Sequence, residues 1–133
     1  MTQDILKGKQ LERSVEAIER AILETSPMYN ENMFRLESRN IIVVDGVKHE
    51  IDVWVEVEIA KGYNPVFIFE CRNRVEKADK NDIIVFSEKI DASQAQHGFF
   101  VARSFTRYAE AQAKKDSRVT LLPVTELPVE EIP

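Results

Sequence analysis

The feature that most restricts the fold of this chain is the run Val66 to Phe69, apolar at four consecutive positions and closed by Glu70, Cys71 and Arg72. A strand with one wet face alternates apolar and polar side chains, so an unbroken apolar run belongs to a strand covered on both faces. Past that run, alternation sends Glu70 and Arg72 to one side and Phe69 and Cys71 to the other. A carboxylate and a cation therefore share one face at the end of a buried strand. Charged side chains seldom follow such a run without partners, so Glu70 and Arg72 either emerge at the strand's end or neutralise one another.

The remaining elements arrange themselves around this strand. Leu11, Val15, Ile18 and Ile22 recur at helical steps and predict an amphipathic helix over residues 10–25, stopped by Pro27. Residues 33–44 and 47–60 read as strands around Asp45-Gly46, a pair suited to a two-residue hairpin turn that needs positive φ at both positions. Pairing Val44 with Val47 puts Arg35 opposite Glu56, Glu37 opposite Trp54 and Arg39 opposite Asp52. It also puts Ile51, Val53, Val55 and Val57 on one buried face. An antiparallel return through Gly62, Tyr63, Asn64 and Pro65 then brings Asp52 beside Glu70. Ile83, Phe86 and Ile90 predict a second helix over 79–92, residues 97–103 a strand, 105–115 a third helix, and 119–124 a last strand. A strand, a helix and a further strand in this order form a right-handed crossover with parallel strands. The expected fold class is α/β, an αβββαβ core with helices on the faces of a mixed sheet.

Two converging acids with a cation two residues after the second is the layout a Mg2+-dependent phosphodiester-cleaving site needs. An Asp at a strand end, a short gap, and apolar residues leading into Glu-x-Lys make the pattern of the PD-(D/E)xK nuclease superfamily, the restriction-endonuclease-like and Mrr-like fold. This chain resembles it. Asp52, Glu70 and the run VFIFECRN stand at the matching positions, and the order of elements extends the resemblance over about residues 10–122. The departure is at the lysine position, which holds Arg72. The resemblance implies a DNA endonuclease with Mg2+ or Mn2+ held by Asp52, Glu70 and the backbone carbonyl of Cys71, and with Arg72 at the phosphate or the attacking water. It further implies a supporting acid on the first helix, for which Leu11-Glu12 fits and Glu16 is second. Arg74 and Lys80 are the expected phosphate contacts. Arginine cannot accept a proton at ordinary pH, so Lys48, Lys77 or Lys80 could stand in from a neighbouring element. Glu50 is the alternate ligand if the register slips.

Each of these residues also has a plainer reading. Asp52 also reads as half of a cross-strand ion pair with Arg39, Glu70 as the partner of Arg72, and Glu12 as part of a solvated helix face. The alternative function is accordingly a non-catalytic module on the same fold, binding nucleic acid or protein. Charge does not decide between them. The net charge is −5, but residues 1–71 carry 8 basic and 13 acidic groups, residues 72–118 carry 10 and 7, and residues 119–133 carry 0 and 3. An acidic site thus adjoins a mildly basic half, as a nuclease requires and as many mixed surfaces also show.

With 133 residues, one domain is expected over 1–133, with residues 123–133 a loose tail. A domain this small covers little of a duplex, so cutting two strands calls for a homodimer or an additional domain. The chain has no apolar run of membrane-spanning length, and Cys71 is its single cysteine. Both point to a cytoplasmic protein.

Overall fold

The computed structural model describes residues 34–58, 60–72 and 74–123. The 10–25 helix, with Glu12 and Glu16, and most of the predicted tail lie outside the described residues. Among the described residues, five strands form one mixed sheet in the order β1-β2-β3-β4-β5: β1 Phe34–Val44, β2 Val47–Val57, β3 Val66–Arg72, β4 His97–Ala102 and β5 Val119–Pro123. The first three run antiparallel to one another, and β4 and β5 are parallel to β3. Helix α1, Lys80–Ser93, makes the crossover from β3 to β4, and α2, Arg107–Ala113, the crossover from β4 to β5. Neither helix is long and apolar enough to cross a membrane.

Local chemistry accounts for these boundaries. Asp45 and Gly46 take φ of 52° and 78°, and the hairpin closes with Val44 opposite Val47 as expected. The same register places Arg35 opposite Glu56, where Arg35 Nη2 donates to Glu56 Oε1 at 2.8 Å. The pairs Ser38–Val53 and Asn40–Ile51 continue that register to either side of Asp52; the Arg39 side chain opposite it lies outside the described residues. Helix α1 starts at Asp79, whose Oδ1 accepts from the Asp82 N–H while Asp82 Oδ2 accepts from the Asp79 N–H, a reciprocal cap that satisfies two helix-end donors. The third predicted helix is shorter than the 105–115 expected: Thr106 caps it, Phe105 instead joins a bridge to Ala78, and Tyr108 faces solvent.

Both faces of the central strands are buried, as the apolar run demanded. On one face Ile68 and Phe100 pack against Ile83, Phe86 and Ile90 of α1 and Ala109 and Ala113 of α2. On the other, Val53, Val55, Val57, Phe69, Cys71 and Val101 form a second cluster, with Phe69 stacked on Phe99 at 4.8 Å. Ile51 departs from expectation by packing with the α1 cluster and not with Val53. The cause is local: β2 and β3 pair only as far as Val53–Phe69, and beyond that point β2 belongs to a two-stranded ribbon with β1. Two-stranded ribbons twist more strongly than a wide sheet, which breaks the alternation at residues 51–53.

Candidate active site

The predicted site lies at the fork where β2 leaves β3. Asp52 is the first residue past the last pair, Val53–Phe69, and its Oδ2 accepts from the backbone N–H of Cys71 at 2.9 Å. A side-chain oxygen thus takes the place of the next ladder acceptor. That N–H belongs to the peptide joining Glu70 to Cys71, so the Asp52 carboxylate lies against the backbone immediately after Glu70. Asp52 is 8% exposed and Glu70 4%, and they are the buried charged residues among those described. Burying a carboxylate is costly unless it is hydrogen-bonded and opposed by positive charge.

Glu70 has that compensation twice over. Its Oε2 accepts from Arg72 Nε at 3.0 Å and its Oε1 from Lys89 Nζ at 3.0 Å. The Glu70–Arg72 pairing allowed by strand spacing is therefore present, accompanied by a second cation from α1. Arg72 reaches further: its Nη1 is 3.7 Å from Asp82 Oδ1, and its guanidinium lies 5.9 Å from the centre of the Phe100 ring. Burial pulls the Arg72 pKa down, but the charge and hydrogen bond of Glu70, with Asp82 and Asp52 behind them, outweigh it and hold the pKa above the ordinary arginine value. That Asp52 contributes places it within electrostatic reach of the same guanidinium.

Lys89 is the residue the sequence reading missed. It stands beside Ile90 and three residues after Phe86, both buried, so its stem runs along the helix face that meets the sheet. Asp82 is seven residues earlier, two turns away on nearly the same side, and the two side chains flank the apolar stripe. Reading charges at the stripe's edge as candidates for the site, and not as solvated ones, would have found both. Close approach of α1 is made possible by Gly98 on β4: a Cβ there would lie 2.7 Å from Ile90 Cδ1 and 2.7 Å from Phe86 Cζ. The missing side chain lets the helix sit near enough for a lysine stem to reach Glu70.

The other predicted residues are distributed around this centre. Arg74 Nη2 lies 3.5 Å from Asp82 Oδ2, and its buried Nε has no hydrogen-bond partner among the described residues. Lys80 is exposed in the first turn of α1; Lys48 and Lys77 are exposed as well, and the lysine at Glu70 is Lys89. The Cys71 side chain packs with Phe69 on the far face. A strand residue's N–H and C=O point to the same edge, so the Cys71 carbonyl is directed to the edge where Asp52 lies. His49 is half-buried near the hairpin, and His97 Nε2 is 2.6 Å from Thr120 Oγ1, which makes it a packing residue.

The donor set fits a hard divalent cation of the Mg2+ type, which is commonly held by one or two carboxylates and completes its shell with water and substrate oxygens. It does not fit an all-protein cage: among the described residues no three His, Cys, Asp or Glu side chains gather to hold an ion.

Comparison with known proteins places the fold. No protein-family model matches the sequence, and no curated protein matches it. Solved structures do. A protein of unknown function superposes with a TM-score of 0.58 at 14% identity, over 84% of this chain and 56% of that one. A repair endonuclease from Pyrococcus abyssi gives 0.50 at 20% identity, over 85% and 47%. The MspJI restriction endonuclease, solved with a 27-mer oligonucleotide, gives 0.56 at 12% identity, over 90% and 26%. The chain spans little more than half of the first of these chains and less of the others. The fold is restriction-endonuclease-like.

Proposed function

We propose that this chain is a Mg2+- or Mn2+-dependent nuclease acting on DNA. The observation that carries the reading is the buried Asp52 carboxylate held against the Glu70–Cys71 peptide at the fork between β2 and β3. There a buried acid on one strand accepts from the peptide that follows a buried acid on the next, and carboxylates from adjacent strands at such an edge are the donors that a hard divalent ion takes. The fold supports the reading, because it recurs in the endonucleases named above.

In this proposal Asp52, Glu70 and the Cys71 carbonyl hold the ion, which when bound supplies Lewis-acid neutralisation of the charge that develops at the phosphorus. Arg72 keeps its charge at every working pH and presents a planar fork to a phosphate oxygen. Arg74 and Lys80 extend positive charge from the site toward the start of α1, where a phosphate backbone would be drawn in. Glu12, in the segment for which the sequence predicts a helix over 10–25, is the proposed supporting acid. A homodimer or a further domain provides the second active centre where both strands are cut.

The test is Mn2+ titration together with cleavage of plasmid and branched DNA. We expect saturable ion binding that Asp52→Ala abolishes, and metal-dependent cleavage that Glu70→Ala reduces by at least about 100-fold. DNA binding without cleavage by the unaltered protein would overturn the catalytic reading in favour of a binding module. One observation favours that second reading: both oxygens of Glu70 are already occupied by cations.

A further inference from the structure

That same occupancy leads to a more specific assignment, which rests on the nuclease reading. We propose that Lys89 is an exchangeable counter-ion, which occupies Glu70 in the metal-free protein and turns to the substrate phosphate when Glu70 takes up a divalent ion. Glu70 has two oxygens and two cations on them, at 3.0 Å each. An incoming ion must displace one cation or share an oxygen with it, and like charges at such a distance repel strongly in a half-dry site.

The two cations are not equally free to leave. Arg72 is fixed at several points, by Glu70, by Asp82 and by the Phe100 ring, and its rigid guanidinium cannot abandon one without disturbing the others. Lys89 is held differently. Among the described residues Glu70 is the one carboxylate within ion-pairing distance of its ammonium, which ends a flexible four-carbon stem. The backbone beneath that stem is fixed by Phe86 and Ile90 against Gly98, so the ammonium can swing while α1 stays in place. Its side chain is 14% exposed, which gives the released charge a route toward solvent and an approaching phosphate. Lys89 then provides, from a helix, a mobile point charge at the phosphate that the strand position holding Arg72 does not.

Competition for Glu70 makes an unusual prediction: removing Lys89 should improve ion binding while impairing function. In the full chain without DNA, Lys89→Met should bind Mn2+ about five- to twentyfold more tightly in calorimetric titration, because one competing cation is gone. With Ca2+ in place of Mn2+, the same variant should bind a DNA duplex with a salt dependence shallower by about one counter-ion. Lys89→Arg should restore that slope. Lys89→Gln repeats both measurements should the methionine variant not fold. If unaltered protein binds Mn2+ and cleaves DNA while these variants leave ion affinity unchanged or weaker, the Lys89 assignment is wrong and the nuclease reading stands. If the unaltered protein neither binds Mn2+ nor cleaves, both are overturned.

Discussion

Two charge clusters, at opposite ends of the parallel strands, are built in mirror fashion. At the end of β3 one carboxylate, Glu70, lies between two cations, Arg72 and Lys89. Before β5 one cation, Arg118, lies between two carboxylates: Nη2 is 2.9 Å from Asp116 Oδ2 and Nη1 is 2.8 Å from Asp91 Oδ1. The second cluster satisfies itself. Arg118 Nε also donates to Asp116 Oδ1 at 2.9 Å, so the pair is bidentate, and the Arg118 backbone N–H adds a third bond to the same oxygen. Asp91 remains 68% exposed, where water can do the same work. Glu70, by contrast, is bonded to two separate side chains from two elements, with its own side chain only 6% exposed. A bidentate pair two residues apart, with its second acid largely in solvent, describes a fastener for a turn. The Glu70 cluster is buried and has no bidentate pair, so each of its charges depends on a separate side chain.

The largest expected effect separates the two directly. Glu70→Ala leaves Arg72 and Lys89 facing each other without their anion, and should lower unfolding stability in urea by about 3 kcal/mol, the range for breaking a buried pair by removing one partner. An effect no greater than that of a surface pair would mean that water already screens the site, and the contrast between the clusters would disappear. Gly98→Ala acts on the geometry and not on the charge. Its Cβ would lie 2.7 Å from Ile90 Cδ1 and from Phe86 Cζ, so those side chains must shift and disturb the seat of α1, at a cost of about 2 kcal/mol for an overpacked contact. Because α1 carries Lys89, the same change should weaken the ion pair at Glu70, visible as altered Mn2+ affinity, while leaving the Asp116–Arg118 pair intact.

Most of this architecture could be read from residue order, because it rests on local rules. Asp45-Gly46 fixed the hairpin register; the unbroken Val66–Phe69 run required two covered faces; Ile83, Phe86 and Ile90 defined α1. Strand spacing allowed the pairing of Glu70 with Arg72 as one of two readings, and the pair is present. Lys89 did not follow from any such rule, since its approach to Glu70 depends on a helix crossing a different strand at a glycine, a relation between three segments. Ile51 was misplaced for a similar reason: alternation assumes a regular strand, and β2 twists where it loses its neighbour after Val53. The length of α2 was overestimated because Phe105 fits a helical apolar pattern, while it pairs in a bridge ahead of the Thr106 cap.

The smallest expected effect comes from the other cluster and is read through pH. Hydrogen bonds from Arg118, opposed in part by burial, lower the Asp116 pKa from 3.8 to about 2. Its folded-state pKa lies below its unfolded one, so the pair's contribution is fully present above about pH 4 and disappears as pH falls toward 2. Full conversion of that shift would overstate the energy, because Arg118 is more than a third exposed and solvent screens the pair. Asp116→Asn should therefore cost only about 1 kcal/mol in urea unfolding at pH 6. The gap between variant and unaltered protein should close as measurements move from pH 4 to pH 2. A gap that persists at pH 2 would show that Asp116 acts through its turn and its backbone bond to Arg118, not through charge. The bidentate pair would then be no electrostatic counterpart to Glu70 and its two cations.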